Sequence, residues 1–227
     1  MLIACNWKQY LSPAEEITLF KHIIEANLPQ PIVVFPSTLS LVALRPLANQ
    51  NVALGVQDFA PIDEPVVTGS VRISNIEEEW LMIAHSEERK LFHETFADFQ
   101  KKLLLALDHD KKVILCVGEP EKLPLERVLT LVRDELTKFE DCIKGRFAQV
   151  VIAYEPWWAV ASDLYPTQEQ IQAVMDMIHS LGFSQVLYGG SVSAENLAQI
   201  SVPGLGGFLI GRASTTIDNL KSILSLI

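Results

Sequence analysis

At 227 residues the chain is too long for a disulfide-stapled mini-protein and too short for two average domains, so one domain over residues 1–227 is expected. Its 49% apolar content can fill a large core without staples. With 18 basic against 28 acidic residues the net charge is −10, which leaves no basic footprint for nucleic acid or anionic lipid.

A small anionic substrate stays open, because one Lys and a few backbone N–H groups in a pocket outweigh distant charges that salt screens over about 8 to 10 Å. The start, Met1 to Lys8, has neither a basic run nor a long apolar stretch, so no signal peptide is expected. The most apolar window, Val150 to Ala161, is about half the roughly 20 residues a bilayer requires and contains Glu155, so no membrane partner is expected. Cys5, Cys116 and Cys142 form no C-x-x-C pair, which argues against a disulfide framework or a zinc site. A reducing, cytoplasmic location is the expectation.

Taken in chain order, short apolar runs alternate with helical patterns. The runs are Leu2 to Cys5, Ile32 to Phe35, Val52 to Val56, Leu81 to Ala84, Val113 to Val117, Val150 to Tyr154, Val186 to Tyr188 and Phe208 to Ile210. Their nearly continuous apolar character suits parallel strands buried on both faces. Ser12-Pro13-Ala14-Glu15 reads as a capping box with Pro in the first turn, before Ile17, Phe20 and Ile24 on one face. Phe96, Phe99, Leu103 and Leu107 form a second stripe, and Thr167 to Gln170 a second capping box before Ile171, Val174, Met175, Ile178 and Leu181. Residues 59–73 are the one long irregular stretch, a length usually reserved for function. Eight strand–helix units favour a closed (β/α)8 barrel, for which about 250 residues is typical, although periodicity alone also allows an open, doubly wound sheet.

In such a barrel the site lies at the carboxyl ends of the strands. The polar residues that follow the runs are Asn6 and Lys8, His85 to Glu87, Cys116 and Glu119, Glu155, Gly189 to Ser191, and Gly211 to Ser214. Any one of them alone is more often structural. Together they place an amide, an amine, an imidazole, a carboxylate and two Gly-containing loops at one end of the barrel. That set suits proton transfer beside a phosphate: a carboxylate base, an imidazole electrophile, a cation for developing negative charge and backbone N–H groups for the anion. Ser86 to Arg89 can open a helix whose positive end disfavours imidazolium.

At these positions the chain resembles the triosephosphate isomerase family. Asn6-Trp7-Lys8 is similar to the family's N-W-K, Ala84-His85-Ser86-Glu87 to G-H-S-E, and Cys116-Val117-Gly118-Glu119 to C-V-G-E. Further on, Ala153 to Ala159 resembles A-Y-E-P-V-W-A, Tyr188 to Val192 resembles Y-G-G-S-V, and Gly207 to Ser214 resembles G-F-L-V-G-G-A-S. The resemblance implies interconversion of dihydroxyacetone phosphate and glyceraldehyde 3-phosphate through an enediolate, with no cofactor and no metal. Glu155 would be the base, His85 the electrophile, Lys8 the electrostatic stabiliser and Asn6 a hydrogen-bond donor. Glu87 would hold Lys8, and Glu119 would pair with Trp158 near a lid hinge. Backbone N–H groups of Ala161, Ser191, Gly211 and Arg212 would cradle the phosphate. A homodimer joined through residues 59–73 is also implied.

The sequence departs from the family pattern in the lid, which here reads Ala159 to Pro166 with neither lid glycine, with Asp163 added and with Leu164 in place of the lid lysine. Arg212 replaces the second Gly of the phosphate loop, where a positive φ would strain it, Glu88 replaces an Arg, and Gln9-Tyr10 follows Lys8. These changes keep two other functions in view, an isomerase of a longer phosphorylated ketose and an inactive barrel with a binding role. In the family the Tyr of Y-G-G-S bonds to a backbone N–H at the far lid hinge. Pro166 falls at that donor, so Tyr188 would lose the bond, while the missing lid glycines leave Ala161 and Asp163 fewer open conformations; the lid would be stiffer and less dependent on Tyr188.

Overall fold

A computed structural model describes all residues 1–227. Eight parallel strands, β1 (Leu2–Asn6), β2 (Ile32–Phe35), β3 (Val52–Val56), β4 (Trp80–Ile83), β5 (Lys112–Val117), β6 (Val150–Tyr154), β7 (Val186–Tyr188) and β8 (Gly207–Ile210), close into a (β/α)8 barrel in sequence order. The seam pairs β1 with β8, from Leu2 opposite Gly207 to Cys5 opposite Ile210. The shell comprises α1 (Pro13–Ala26), α2 (Leu41–Leu44), α3 (Ser86–Leu91), α4 (Phe96–Asp108), α5 (Leu125–Thr137), α6 (Glu140–Ile143), α7 (Gln168–Ser180), α8 (Leu197–Ile200) and α9 (Ile217–Leu224).

The apolar strands serve two cores because successive side chains point to opposite faces. Leu2, Ala4, Val33, Phe35, Ile114, Cys116, Ala153 and Leu209 pack with their neighbours inside the barrel. The alternate positions, among them Ile3, Cys5, Val34, Leu115 and Ile152, pack outward against Phe20, Ile23, Phe99, Leu103, Val128 and Val174 of the helices. The closed barrel excludes the doubly wound alternative.

Helix starts follow the expected capping with two corrections. At α1 the Glu15 carboxylate accepts both the backbone N–H and the hydroxyl of Ser12, but the buried stripe is Glu16, Leu19, Phe20 and Ile23, with Ile17 and Ile24 at its margin. Glu16 is buried because it accepts the Ser37 N–H and hydroxyl, each at 2.7 Å. At α7 only half of the box forms: Thr167 accepts the Gln170 N–H, while the Gln170 side chain points to Glu119 and Tyr154 instead of back to the cap.

Residues 59–73 run over the rim. Phe59, Ala60 and Ile73 anchor the segment in the core, and Asp63 holds it together by accepting from Arg72 Nε and the Ser74 N–H, both at 3.3 Å. Ile62 and Val66 between these anchors are exposed.

Candidate active site

The strand ends turn sharply to aim their polar residues at the mouth. After β1 the Asn6 carbonyl oxygen Oδ1 accepts the Lys8 N–H at 3.1 Å, and Lys8 takes the left-handed conformation with φ 49°. Gln57 fastens the same turn from β3, donating to the Lys8 carbonyl at 2.9 Å and the Phe35 carbonyl at 3.0 Å. Lys8 Nζ then reaches Glu87 Oε1 at 2.7 Å. After β4, Ala84 also has a left-handed backbone, φ 63°, which ends the strand one residue earlier than the apolar run implies and presents His85 as the cap of α3. A non-glycine residue in that region carries strain of about 1 to 2 kcal/mol, and such strain persists where surrounding structure over-determines it.

His85 and Glu155 are joined. The Glu87 N–H donates to His85 Nδ1 at 3.3 Å, so that nitrogen keeps its lone pair and the ring proton sits on Nε2. Nε2 lies 2.8 Å from Glu155 Oε1, and Oε2 accepts the Ser86 N–H at 2.8 Å. Burial by itself would push the Glu155 carboxyl up. The His85 ring, the Ser86 N–H and Lys8 outweigh it and hold its pKa below the usual carboxylate range.

Gly118 is required here for close approach: a Cβ on it would stand 2.2 Å from the Glu155 carbonyl oxygen. Behind this wall Arg89 donates to the carbonyls of Ala84 at 2.9 Å and Cys116 at 3.0 Å and pairs with Glu135 at 2.5 Å, while Glu135 also accepts the Gly118 N–H. One guanidinium thus ties the ends of β4 and β5 to α5.

The opposite wall is made of loops. Trp158 Nε1 donates to Glu119 at 2.9 Å, Tyr154 hydroxyl donates to the same carboxylate at 3.1 Å, and Gln170 bridges the two, which fixes the start of the loop that follows β6. Burial raises the Glu119 carboxyl against these three donors. Along this loop Ala161 has φ 53°, a left-handed residue where glycine would be unstrained. After β8, Gly211 has φ −85° and Arg212 is not among the left-handed residues, so the expected strain at Arg212 is absent. The N–H groups of Ala161, Ser191 and Gly211 donate to no protein acceptor. The Tyr188 hydroxyl is buried without a hydrogen-bond partner, and Pro166 offers it no N–H.

One cavity of about 280 Å³ joins the walls, and its lining includes Asn6, Lys8, His85, Glu155, Ala161, Ser191, Gly211 and Arg212. Glu87 touches it through Lys8, whereas Glu119, Trp158 and Tyr188 lie behind the lining. Sequence reading met Arg89 and Gln170 only as parts of helix starts and missed their bridging roles, because Cys116 and Glu135 for Arg89, and Glu119 and Tyr154 for Gln170, lie well outside those local runs.

A parallel barrel that couples a carboxylate to a neutral imidazole at its carboxyl mouth defines a class, the (β/α)8 enzymes of acid–base chemistry. Comparison with known proteins narrows it. The sequence model for triosephosphate isomerase matches residues 1–227, and the chain belongs to that family. It is 35% identical to the triosephosphate isomerase of Chromohalobacter salexigens over 98% of this chain and 96% of that one. It is 32% identical to the Francisella philomiragia enzyme over 99% and 96%, and 30% identical to the Lawsonia intracellularis enzyme over 99% and 97%.

Proposed function

We propose that residues 1–227 act as one barrel domain that interconverts dihydroxyacetone phosphate and D-glyceraldehyde 3-phosphate. The observation that carries the site assignment is the Glu155–His85 contact at 2.8 Å beside Lys8, inside a cavity whose far wall offers unpaired backbone N–H groups. At rest both Glu155 oxygens are occupied by Ser86 and His85, which keeps the carboxylate a weak base. When Glu155 leaves these partners for the carbon-bound proton of the substrate, the two hydrogen bonds that lower its pKa are lost while burial remains, so it becomes a stronger base. The same movement frees His85 Nε2–H to donate to the neighbouring carbonyl oxygen. Glu155 takes the proton from one carbon, and the charge on the enediolate oxygen is met by His85 and Lys8; His85 Nε2 gives its proton to that oxygen and takes one from the hydroxyl on the other carbon, and the protonated Glu155 returns its proton to the adjacent carbon. Asn6 serves this chemistry by holding the Lys8 turn.

The phosphate is received by the N–H groups of Ala161, Ser191, Gly211 and Arg212, while Glu87 orients Lys8 and the Glu119–Trp158 pair anchors the lid. The reaction needs neither metal nor cofactor in this reading. A coupled assay with glyceraldehyde 3-phosphate beside four-carbon and five-carbon phosphorylated analogues tests it. Rapid turnover of the triose alone is expected, and preference for a longer sugar or absence of turnover overturns the assignment.

The chain is further proposed to act as a cytoplasmic homodimer. Three buried, free cysteines fit a reducing compartment, and no helix is long and apolar enough to cross a membrane. Exposed Ile62 and Val66 on the 59–73 segment make the apolar surface that a second subunit would cover. Sedimentation at micromolar concentration should give twice the 25.3 kDa chain mass, and a monomer would contradict this contact.

A further inference from the structure

Two departures from the family pattern, Tyr10 after β1 and Arg212 after β8, are far apart in the chain and meet at the seam where the barrel closes. The Arg212 guanidinium stands over the Tyr10 ring, 5.7 Å from its centroid, and both residues line the catalytic cavity. Arg212 is in no ion pair and its side chain donates no hydrogen bond within the protein.

The charges of the cavity give this placement its meaning. Its lining carries Lys8 and Arg212 against Glu155 and Asp163. Lys8 is already paired with Glu87 at 2.7 Å, which leaves Arg212 as the cation without a protein partner. Without Arg212 an incoming phosphate dianion would face two carboxylates and a neutralised ammonium, in a chain of net charge −10 whose lid has Asp163 and no lysine at residue 164. Backbone N–H groups alone would then have to overcome that repulsion.

We propose that the Arg212 side chain is a phosphate-binding group of this enzyme, and that Tyr10 is the positioning residue that holds its guanidinium over the mouth. The inference rests on reading the cavity as a sugar-phosphate site, and it adds a side-chain cation to a cradle otherwise built from backbone. A guanidinium suits the task because it donates in a fixed planar fork to two phosphate oxygens and stacks on an aromatic face at the same time.

The experiment compares glyceraldehyde 3-phosphate with glyceraldehyde, which lacks the phosphate, in the wild type, Arg212→Ala, Arg212→Lys, Tyr10→Leu and the Arg212→Ala, Tyr10→Leu pair. Arg212→Ala should lower kcat/KM for the phosphorylated triose by about 10- to 100-fold, the range of a charge-assisted hydrogen bond, and leave glyceraldehyde within about twofold. Arg212→Lys should recover part of the loss. Tyr10→Leu should give a smaller loss of the same kind that disappears once Arg212 is gone, whereas a merely structural role would add to it. Equal losses for both substrates, or no loss for either, overturn the proposal. Calorimetric titration with inorganic phosphate is the second readout: weaker binding by Arg212→Ala is expected, and unchanged binding overturns the inference even if the wild type fails to isomerise the triose. That failure would instead count against the proposed reaction.

Discussion

The two walls of the cavity hold their polar groups in opposite ways. On the side built from β1, β4 and β6 every side chain proposed to take part in the reaction is already engaged: Lys8 by Glu87, Glu155 by His85 and Ser86, and Asn6 by the Lys8 N–H. On the side built from the loops after β6, β7 and β8, the N–H groups of Ala161, Ser191 and Gly211, the Arg212 guanidinium and the Tyr188 hydroxyl have no protein acceptor. On the proposed reading of the cavity, the first wall is organised before substrate arrives and the second is completed by it. Preorganised dipoles act on the developing charge without reorganising, so the first wall should govern turnover and the second should govern affinity.

The sharpest way to break this division is to remove the central pair. Glu155→Ala or His85→Ala should lower turnover at least about 100-fold, the scale of a positioned acid or base, while thermal unfolding stays cooperative. Near-normal turnover in either variant would move the chemistry elsewhere. Lys8→Met should reduce both affinity and turnover, because an ammonium next to the reacting oxygens meets substrate and transition state alike. If kcat and KM stay at their wild-type values, Lys8 belongs to neither wall.

A subtler test lies behind the first wall, in α3. Glu88 stands near Asp58 and Glu94, both of which contact Nζ of the buried Lys102. Burial, together with the charges of Asp58 and Glu94, pushes the Glu88 carboxyl up to about 7 despite Lys102. The folded state therefore binds a proton that the unfolded state has already released between the ordinary Glu value of 4.5 and about 7. Stability from this group is present below that window and is lost as pH rises through it. Glu88→Gln should accordingly raise Tm more at pH 8 than at pH 5, measured by thermal unfolding at both values. A uniform shift, or a larger gain at the lower pH, would show that Glu88 is not the group that titrates.

The first wall is also the more legible one in the sequence. Asn6, Lys8, His85 and Glu155 are proposed to act through side-chain atoms at strand ends, so their identities appear directly in the motifs. The strands were legible because parallel strands buried on both faces read as continuous apolar runs, and the differences amount to a residue at an end, as where Ala84 turns left-handed. The second wall works through backbone N–H groups, which almost any residue supplies, so substitutions there carry little information. Arg212 shows this well: its position implied strain, but the loop places it outside the left-handed region and leaves Gly211 at φ −85°. Gln170 seemed to be capping α7 because local spacing was the only available signal, and its real partners lie 51 and 16 positions away.

Tyr188 gives the smallest expected effect on activity and the finest test of the second wall. Its ring is fully buried beside Tyr154, and its hydroxyl fills the space left by the missing side chain of Gly190, where a Cβ would lie 2.3 Å from it. Burial pushes the hydroxyl pKa up, with the Glu119 charge adding to it, so it stays protonated with a proton it gives to no acceptor. Leaving such a group unpaired costs about 1 to 3 kcal/mol, so removing the oxygen relieves more than the small void it leaves. The lid adds an opposing term. Replacing glycine by Ala161 limits its open conformations, but at φ 53° the alanine also carries strain of about 1 to 2 kcal/mol, so stiffness there does not by itself favour closure. Tyr188→Phe should therefore raise Tm and change kcat by less than about threefold, and Ala161→Gly in the same background should loosen the lid, which would appear chiefly in KM. A loss of turnover far above threefold in Tyr188→Phe would mean that the hydroxyl finds a partner once the lid has closed, and that the second wall, like the first, is held by a bond of its own.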